Sequence, residues 1–389
     1  MVTILLFILI LGILVVAHEW GHYYTAKKFG IKVHEFGFGY PPRAFGWYRD
    51  PDTKKIVWVW GSGKSSLKKT VAGDEQQKEF PGMLWSFNWL PLGGFVRIKG
   101  ENGESAVESD SFGYHKAWKR VVVLAAGVIM NVVLAAVVLS FGFMIGLPTD
   151  LSRGVDTHAI IVEAPSVLVQ SVADDSPAAK AGIEFGDRII QADETSIANA
   201  AQLIEYVGER RDTPIQLRIV RNGVEQVLTA VPVISEGDTV ARLGIGIAEA
   251  GVIRYPWYIA LYKGVLAAGI GVVTIFVSFY YLIVNLVTGQ GLMFDIAGPV
   301  GIAQVVGQSA KLGFQYVLNV VAMLSLSLAV INILPIPALD GGRILFIIIE
   351  KIKGKKVSMK YEQVAHTIGF MLLMILIVVV TWRDIAKLF

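Results

Sequence analysis

The chain of 389 residues contains no cysteine, and only 17% of its residues are charged. Without thiols there can be neither disulfides nor thiolate metal sites, so any metal must be held by His, Asp or Glu. A soluble globular chain carries about 25% charged residues. The shortfall here excludes a disordered or an ordinary cytosolic protein. The formal net charge is only +3, from 35 Lys and Arg against 32 Asp and Glu. It is spread along the chain, so no nucleic-acid partner is expected. The first apolar run has no basic leader and no small-residue cleavage site, and is expected to be a retained helix rather than a signal peptide. No internal symmetry is visible, which argues against a transporter built from paired repeats.

What is present is hydrophobic. Apolar residues make up 54% of the chain, and mean hydropathy is +0.56. A helix that crosses a bilayer needs about 20 mostly apolar residues. Five stretches approach this: 3–17 continuing to about 24, 121–147 with Asn131 as its one strongly polar residue, 265–287, 316–349, and about 364–382. The fourth is interrupted by Pro335, Pro337 and Asp340. Lysine and arginine collect on the cytoplasmic side of membrane proteins. Lys27, Lys28 and Lys32, then Lys116, Lys119 and Arg120, then Lys351, Lys353, Lys355, Lys356 and Lys360 mark three places expected there. The acid-rich segment 147–256 is expected outside, together with the N-terminus. That topology requires 265–287 not to cross once on its own, and the expectation is that it lies in the outer interface.

The chemistry is concentrated in the first apolar run. His18-Glu19-Trp20-Gly21-His22 is an H-E-x-x-H motif. On a helix, residues four apart share a face, so both imidazoles can reach one zinc ion. Glu19 stands about a quarter-turn round, where it can take a proton from water at the metal. A catalytic zinc takes three protein ligands and keeps one position open. The best candidate for the third ligand is Asp340, which follows the Asn332–Leu339 run and precedes Gly341-Gly342; its plainer reading is a turn residue near the membrane surface. His34, His115, His158 and His366 lie in loops or near interfaces and are read as non-ligands.

Between the first two runs, residues 26–119 hold strand-like segments at 55–60 and 94–99, with Gly37-Phe38-Gly39 and Pro91-Leu92-Gly93-Gly94 as expected turns. Trp47, Trp58, Trp60, Trp85 and Trp89 there suit a membrane interface. In the outer segment, Ser176–Gly182 reads as a short capped helix, 198–209 as a helix, and 215–220 with 225–231 as a hairpin around Asn222-Gly223. This suits a small α+β module.

Taken together these motifs resemble the bacterial site-2 protease family, zinc intramembrane metalloproteases of the RseP type. The resemblance is carried by His18–His22, Gly37–Gly39, Pro91–Val96, Ala125-Ala126-Gly127 with Asn131, Gly298–Ala303 and Asn332–Gly342. It implies that His18, His22 and Asp340 bind Zn²⁺ and that Glu19 is the catalytic acid/base. It implies that Asn332 helps to hold extended substrate. Gly93, Gly94, Phe95 and Val96 would belong to a re-entrant β-loop that pairs with an unwound substrate. The outer module would be a PDZ-like domain, acting as a steric gate or as receptor for a peptide tail. Only one such module fits, and Val128 stands where the family often has Pro.

The expected architecture is a polytopic α-helical membrane protein of about four transmembrane helices, with a re-entrant β-loop region and an extracytoplasmic α+β PDZ-like domain. Its segments are a first transmembrane helix 1–25, a cytoplasmic-side loop with the β-hairpin 26–118, a second helix 119–147 and the PDZ-like domain 158–250. Then come an interfacial or re-entrant segment 256–312, a helix with the Leu-Asp-Gly motif 313–349, a basic loop 350–362 and a last helix 363–389. The expected activity is intramembrane cleavage of single-pass membrane proteins in the lipid bilayer of the bacterial cytoplasmic (inner) membrane. By resemblance the substrates would be pre-trimmed anti-sigma factors or remnant signal peptides. The alternative is a catalytically inactive membrane scaffold that presents the PDZ-like module.

Overall fold

A computed structural model describes residues 2–61, 80–101, 107–151, 154–221, 223–234, 240–289, 297–355 and 357–386. Asn222 of the expected hairpin turn, Lys356 of the basic loop and residues 290–296 of the expected interfacial segment lie outside the described residues. In chain order the elements are α1 (Val2–Lys28), β1 (Val33–Arg49), β2 (Ile56–Trp60), β3 (Leu84–Ile98), α2 (Ala117–Ile145), β4 (Leu147–Asp150) and β5 (Ile160–Val172). There follow α3 (Pro177–Lys180), β6 (Arg188–Ala192), β7 (Thr195–Ser196), α4 (Ala200–Gly208), β8 (Ile215–Arg221), β9 (Val224–Ala230) and β10 (Ile245–Arg254). The chain ends with α5 (Trp257–Thr288), α6 (Pro299–Leu312), α7 (Phe314–Ile333), α8 (Asp340–Lys353) and α9 (Met359–Ala386). It divides into two compact units, one of residues 1–136, 266–304 and 321–389, the other of 137–265 and 305–320.

Among the described residues five helices, α1, α2, α5, α7 and α9, are long and apolar enough to cross a membrane, by length and composition. The expected four or so correspond to α1, α2, α7 and α9, with α5 as the further candidate. The stretch 265–287, expected to lie in the interface or re-enter, is part of α5, an unbroken helix of 32 residues, about 48 Å at 1.5 Å per residue. No proline interrupts it, its glycines are scattered, and Lys263 is its one charged residue.

The fourth apolar stretch is two helices. Pro335 and Pro337 lack the N–H that would continue α7, so the chain turns through 334–339 and restarts as α8 with Asp340 in its first turn. Gly341 and Gly342 permit this. A Cβ on Gly341 would lie 2.2 Å from the Ile333 carbonyl oxygen, and one on Gly342 2.3 Å from that of Ile336.

In the first unit α1 packs on α2 through Gly21, whose Cβ would lie 2.3 Å from the Ala126 carbonyl oxygen. Small residues at such crossings let helix backbones approach closely where the hydrophobic effect supplies little drive. The antiparallel sheet has the order β2-β1-β3. β3 folds back on itself near Gly93, at φ +93°, so that Phe36 of β1 pairs with both Trp85 and Val96. Segment 94–98 is thereby an edge: its strand partner is β1, and among the described residues no other strand pairs with it. Of the expected turn Gly37-Phe38-Gly39, Gly37 and Phe38 lie in the first arm of β1, and Gly39, at φ +76°, opens the bend at which β1 reverses, since Phe38 and Phe45 both pair with Phe87. Gly37 makes room for an aromatic ring there, since its Cβ would lie 2.4 Å from the Phe95 ring. Buried Tyr23, Phe36, Ile98, Val123, Leu124 and Ile347 form the core that joins sheet and helices.

The second unit is built on an antiparallel sheet of order β4-β10-β5-β6-β8-β9, with β7 beside β6. Val167, Val169, Ile189, Leu203, Leu217 and Ile219 are at its core. Ser176 caps α3 by accepting the Ala179 N–H at 3.1 Å. Arg221 grips the fully buried Asp187 carboxylate with two bonds of 2.7 Å. Removing one partner of a buried ion pair strands the other. Arg221→Ala is therefore expected to destabilise this unit by about 2–3 kcal/mol, below the range for fully buried pairs because the guanidinium is partly solvated. Hydrogen exchange at β6 and β8 in the full-length protein measures the loss.

Candidate metal centre

His18 and His22 occupy adjacent turns of one face of α1, and both are buried. Their Nε2 atoms lie 3.1 Å apart. Asp340 Oδ2, brought by the start of α8, lies 3.0 Å from His18 Nε2 and 3.4 Å from His22 Nε2. Four ligands arranged tetrahedrally about zinc at 2.0–2.1 Å are separated from each other by about 3.3 Å. The three atoms thus already have the mutual spacing of ligands to one small cation.

The surroundings fix the imidazoles for that role. His22 Nδ1 donates to the Val123 carbonyl at 2.8 Å, so its Nε2 keeps a lone pair. The Nδ2 atom of fully buried Asn131 lies 3.4 Å from His18 Nδ1, and its Oδ1 has no hydrogen-bond partner among the described residues. The two amide atoms exchange places on a flip of the side chain, and with Oδ1 toward the ring Asn131 accepts Nδ1–H and frees His18 Nε2 in the same way. Ser325 Oγ on α7 in turn donates to the Asn131 carbonyl at 2.7 Å. Gly127 supplies the space: a Cβ there would lie 2.4 Å from His22 Nε2 and 2.8 Å from His18 Nε2.

The donor set calls for a cation. Two neutral imidazoles and a carboxylate present lone pairs to one point, and Asp340 Oδ2 has no hydrogen-bond partner among the described residues. A buried carboxylate left uncompensated costs several kcal/mol. Imidazole with carboxylate suits zinc, whereas magnesium and calcium prefer all-oxygen sets. The residues present therefore fit a zinc ion with an open fourth position.

Every site residue expected from the sequence lines one cavity of about 440 Å³: His18, Glu19, His22, Gly93, Gly94, Phe95, Val96, Asn332 and Asp340. Glu19 sits one residue along α1 and lines the cavity together with Val96 of the β3 edge. Asn332 is in the last turn of α7. The sequence reading did not assign roles to the Val123 carbonyl, Gly127 and Asn131. An unusual polar residue in an apolar helix is the one signal that could have marked Asn131. It also missed Glu101 and Arg343, which line the cavity and are ion-paired with each other.

Two histidines and a carboxylate around an open position, with a glutamate beside them among membrane-capable helices, define a membrane-embedded metallopeptidase. The chain belongs to peptidase family M50, whose profile matches residues 6–59 and 75–376. It is similar to zinc metalloprotease RasP of Bacillus licheniformis, at 30% identity over 100% of this chain and 99% of that protein. It is also similar to the regulator of sigma-W protease RasP of Bacillus subtilis, at 28% identity over 100% and 99%. Zinc metalloprotease RasP of Oceanobacillus iheyensis is 29% identical over 100% of both chains. The PDZ domain of an SdrC-like protein from Listeria monocytogenes aligns with 23% of this chain and 93% of its own length, at 20% identity and a TM-score of 0.21. The protein is thus a multi-pass zinc metalloprotease of the site-2 class, which acts by intramembrane proteolysis.

Gly127→Ala is expected to lower zinc affinity by about tenfold to a hundredfold, the range for changes that disturb ligand orientation. Gly12→Ala, on the same helix as the histidines but with nothing within 4 Å of its Cβ, should leave affinity unchanged. Competition with a chromophoric chelator measures both.

Proposed function

We propose that the protein is an endopeptidase that cuts within the transmembrane segments of single-pass membrane proteins, with His18, His22 and Asp340 as zinc ligands and Glu19 as acid/base. The observation that carries this reading is the convergence of these four residues, from helices far apart in sequence, on one cavity that a β-strand edge also lines. Zinc, when bound, supplies Lewis-acid polarisation of the scissile carbonyl and lowers the pKa of water to about 7.

The chain's own residues do the rest. Glu19 takes the proton of the attacking water and returns it to the leaving amine. A substrate that enters as a helix hides its carbonyls in internal hydrogen bonds and must unwind first. An unwound segment in hydrocarbon exposes N–H and C=O groups at a cost of several kcal/mol each. The edge formed by Gly93, Gly94, Phe95 and Val96 offsets this by adding the substrate as a further strand. Asn332 supplies a side-chain amide on the opposite wall of the extended segment.

The segment boundaries given by the sequence, the cytoplasmic (inner) membrane and an extracytoplasmic α+β module are part of the same proposal. They rest on the lysine and arginine distribution. With the module outside, the substrate reaches the site after its outer portion has been trimmed, as for an anti-sigma factor or a remnant signal peptide. The module then acts as a gate or as a receptor for the trimmed tail.

Glu19→Gln is expected to keep zinc stoichiometry while lowering kcat on a reconstituted single-pass substrate by about 10²–10⁴-fold. Membrane-retained fragments should accumulate in cells that carry it. Undiminished cleavage by this variant contradicts the assignment of Glu19.

A further inference from the structure

The turn that delivers Asp340 has a backbone shape that its own residues do not favour. Residues 334–339 join α7 to α8. Ala338 has φ +85°, in the left-handed region that a side chain with a Cβ enters only at a cost. Such a conformation persists where the surroundings over-determine it. The surroundings here are one face of α9. The Ala338 N–H points out of the turn and donates to His366 Nδ1 at 2.7 Å. One turn along α9, a Cβ on Gly369 would lie 2.3 Å from the Pro337 carbonyl oxygen, so α9 and the turn meet backbone to backbone. His366 is itself fixed. Its ring lies 5.6 Å from that of Phe346 on α8, and its Nε2 lies 4.0 Å from a Glu362 carboxylate oxygen, with no hydrogen-bond partner among the described residues.

We infer that His366 is a positioning residue for the zinc ligand Asp340, holding Ala338 in its left-handed conformation by accepting the Ala338 N–H at Nδ1. To accept, Nδ1 must be unprotonated, so the neutral ring carries its proton on Nε2. Proline at 335 and 337 leaves the turn few N–H groups of its own. Ile336 N–H bonds to the Leu334 carbonyl at 2.7 Å and Leu339 N–H to the Ile336 carbonyl at 3.2 Å, and the left-handed residue between these bonds is tied from outside, by His366. The carboxylate two residues beyond Ala338 is aimed by the turn so fixed. The last helix is in this way part of the metal site without touching the metal. The inference rests on the zinc reading of His18, His22 and Asp340.

Two substitutions separate the hydrogen bond from the bulk of the ring. His366→Phe keeps the ring and its contact with Phe346 but has no acceptor. His366→Asn loses the ring and keeps an acceptor at the δ position. The full-length protein in detergent micelles is titrated with zinc against a chelator and with Co²⁺ by visible absorption, alongside wild type and Asp340→Ala. The expected result is zinc affinity reduced about tenfold or more in His366→Phe, with the Co²⁺ spectrum moved toward that of Asp340→Ala, while His366→Asn stays within about threefold of wild type. Wild-type affinity in His366→Phe, or equal losses in both variants, overturns the positioning role. If His366→Phe does not fold, a folded His366→Asn that has lost zinc binding overturns it as well. Wild type and Asp340→Ala report separately on the metal reading, because equal zinc affinity in those two overturns the metal assignment itself.

Discussion

The structure depends on one convergence: two imidazoles from the first helix and a carboxylate more than three hundred residues later must meet at one cation-sized point. Each of the three is costly in an apolar setting by itself. A divalent ion held by all three would compensate them and would tie α1 to the α7–α8 turn. The free energy of such a bond is available to hold the helices, since ligands that are scattered in the unfolded chain come together only in the folded one.

Glycine is the means by which helices come close enough for this. Gly21 lets α1 lie against the backbone of α2, and Gly127 leaves the space that the two imidazoles fill. Gly341 and Gly342 fold α8 under the end of α7. Gly369 brings α9 onto the turn. At each of these places a methyl group would collide with backbone or with a ligand atom. A tight scaffold matters because a site that must exclude lipid and admit water has to hold its ligands to within a few tenths of an ångström.

The chemistry was legible in the sequence because it is local or bears a punctuation mark. H-E-x-x-H is a single helical face, and Asp340 stands out between prolines and glycines inside an apolar run. The supporting shell was not legible. The Val123 carbonyl has no side-chain signature, Gly127 and Gly21 look like any glycine in an apolar helix, and the role of His366 exists only once α9 lies against the turn. Of the expected turn at Gly37–Gly39, Gly39 does open the reversal of β1, while Gly37 stands in strand facing the Phe95 ring, a contact with a residue almost sixty positions away that no local pattern announces. The stretch 265–287 was assigned to the interface to keep Asp340 on the same side as the histidines. The structure makes that stretch one long uninterrupted helix, as its apolar composition suits.

The cavity combines what the chemistry of a peptide bond in a membrane requires: a metal position, a proton carrier, and a strand edge for an unwound chain. All three depend on the shared cation. X-ray absorption at the zinc edge of the purified full-length protein addresses that dependence directly. The account predicts one zinc per chain with nitrogen and oxygen neighbours at about 2.0–2.1 Å, the outer-shell pattern of two imidazoles, and a first shell that changes when Asp340 is replaced by alanine. Absence of zinc, or an identical first shell with and without the Asp340 carboxylate, would contradict it.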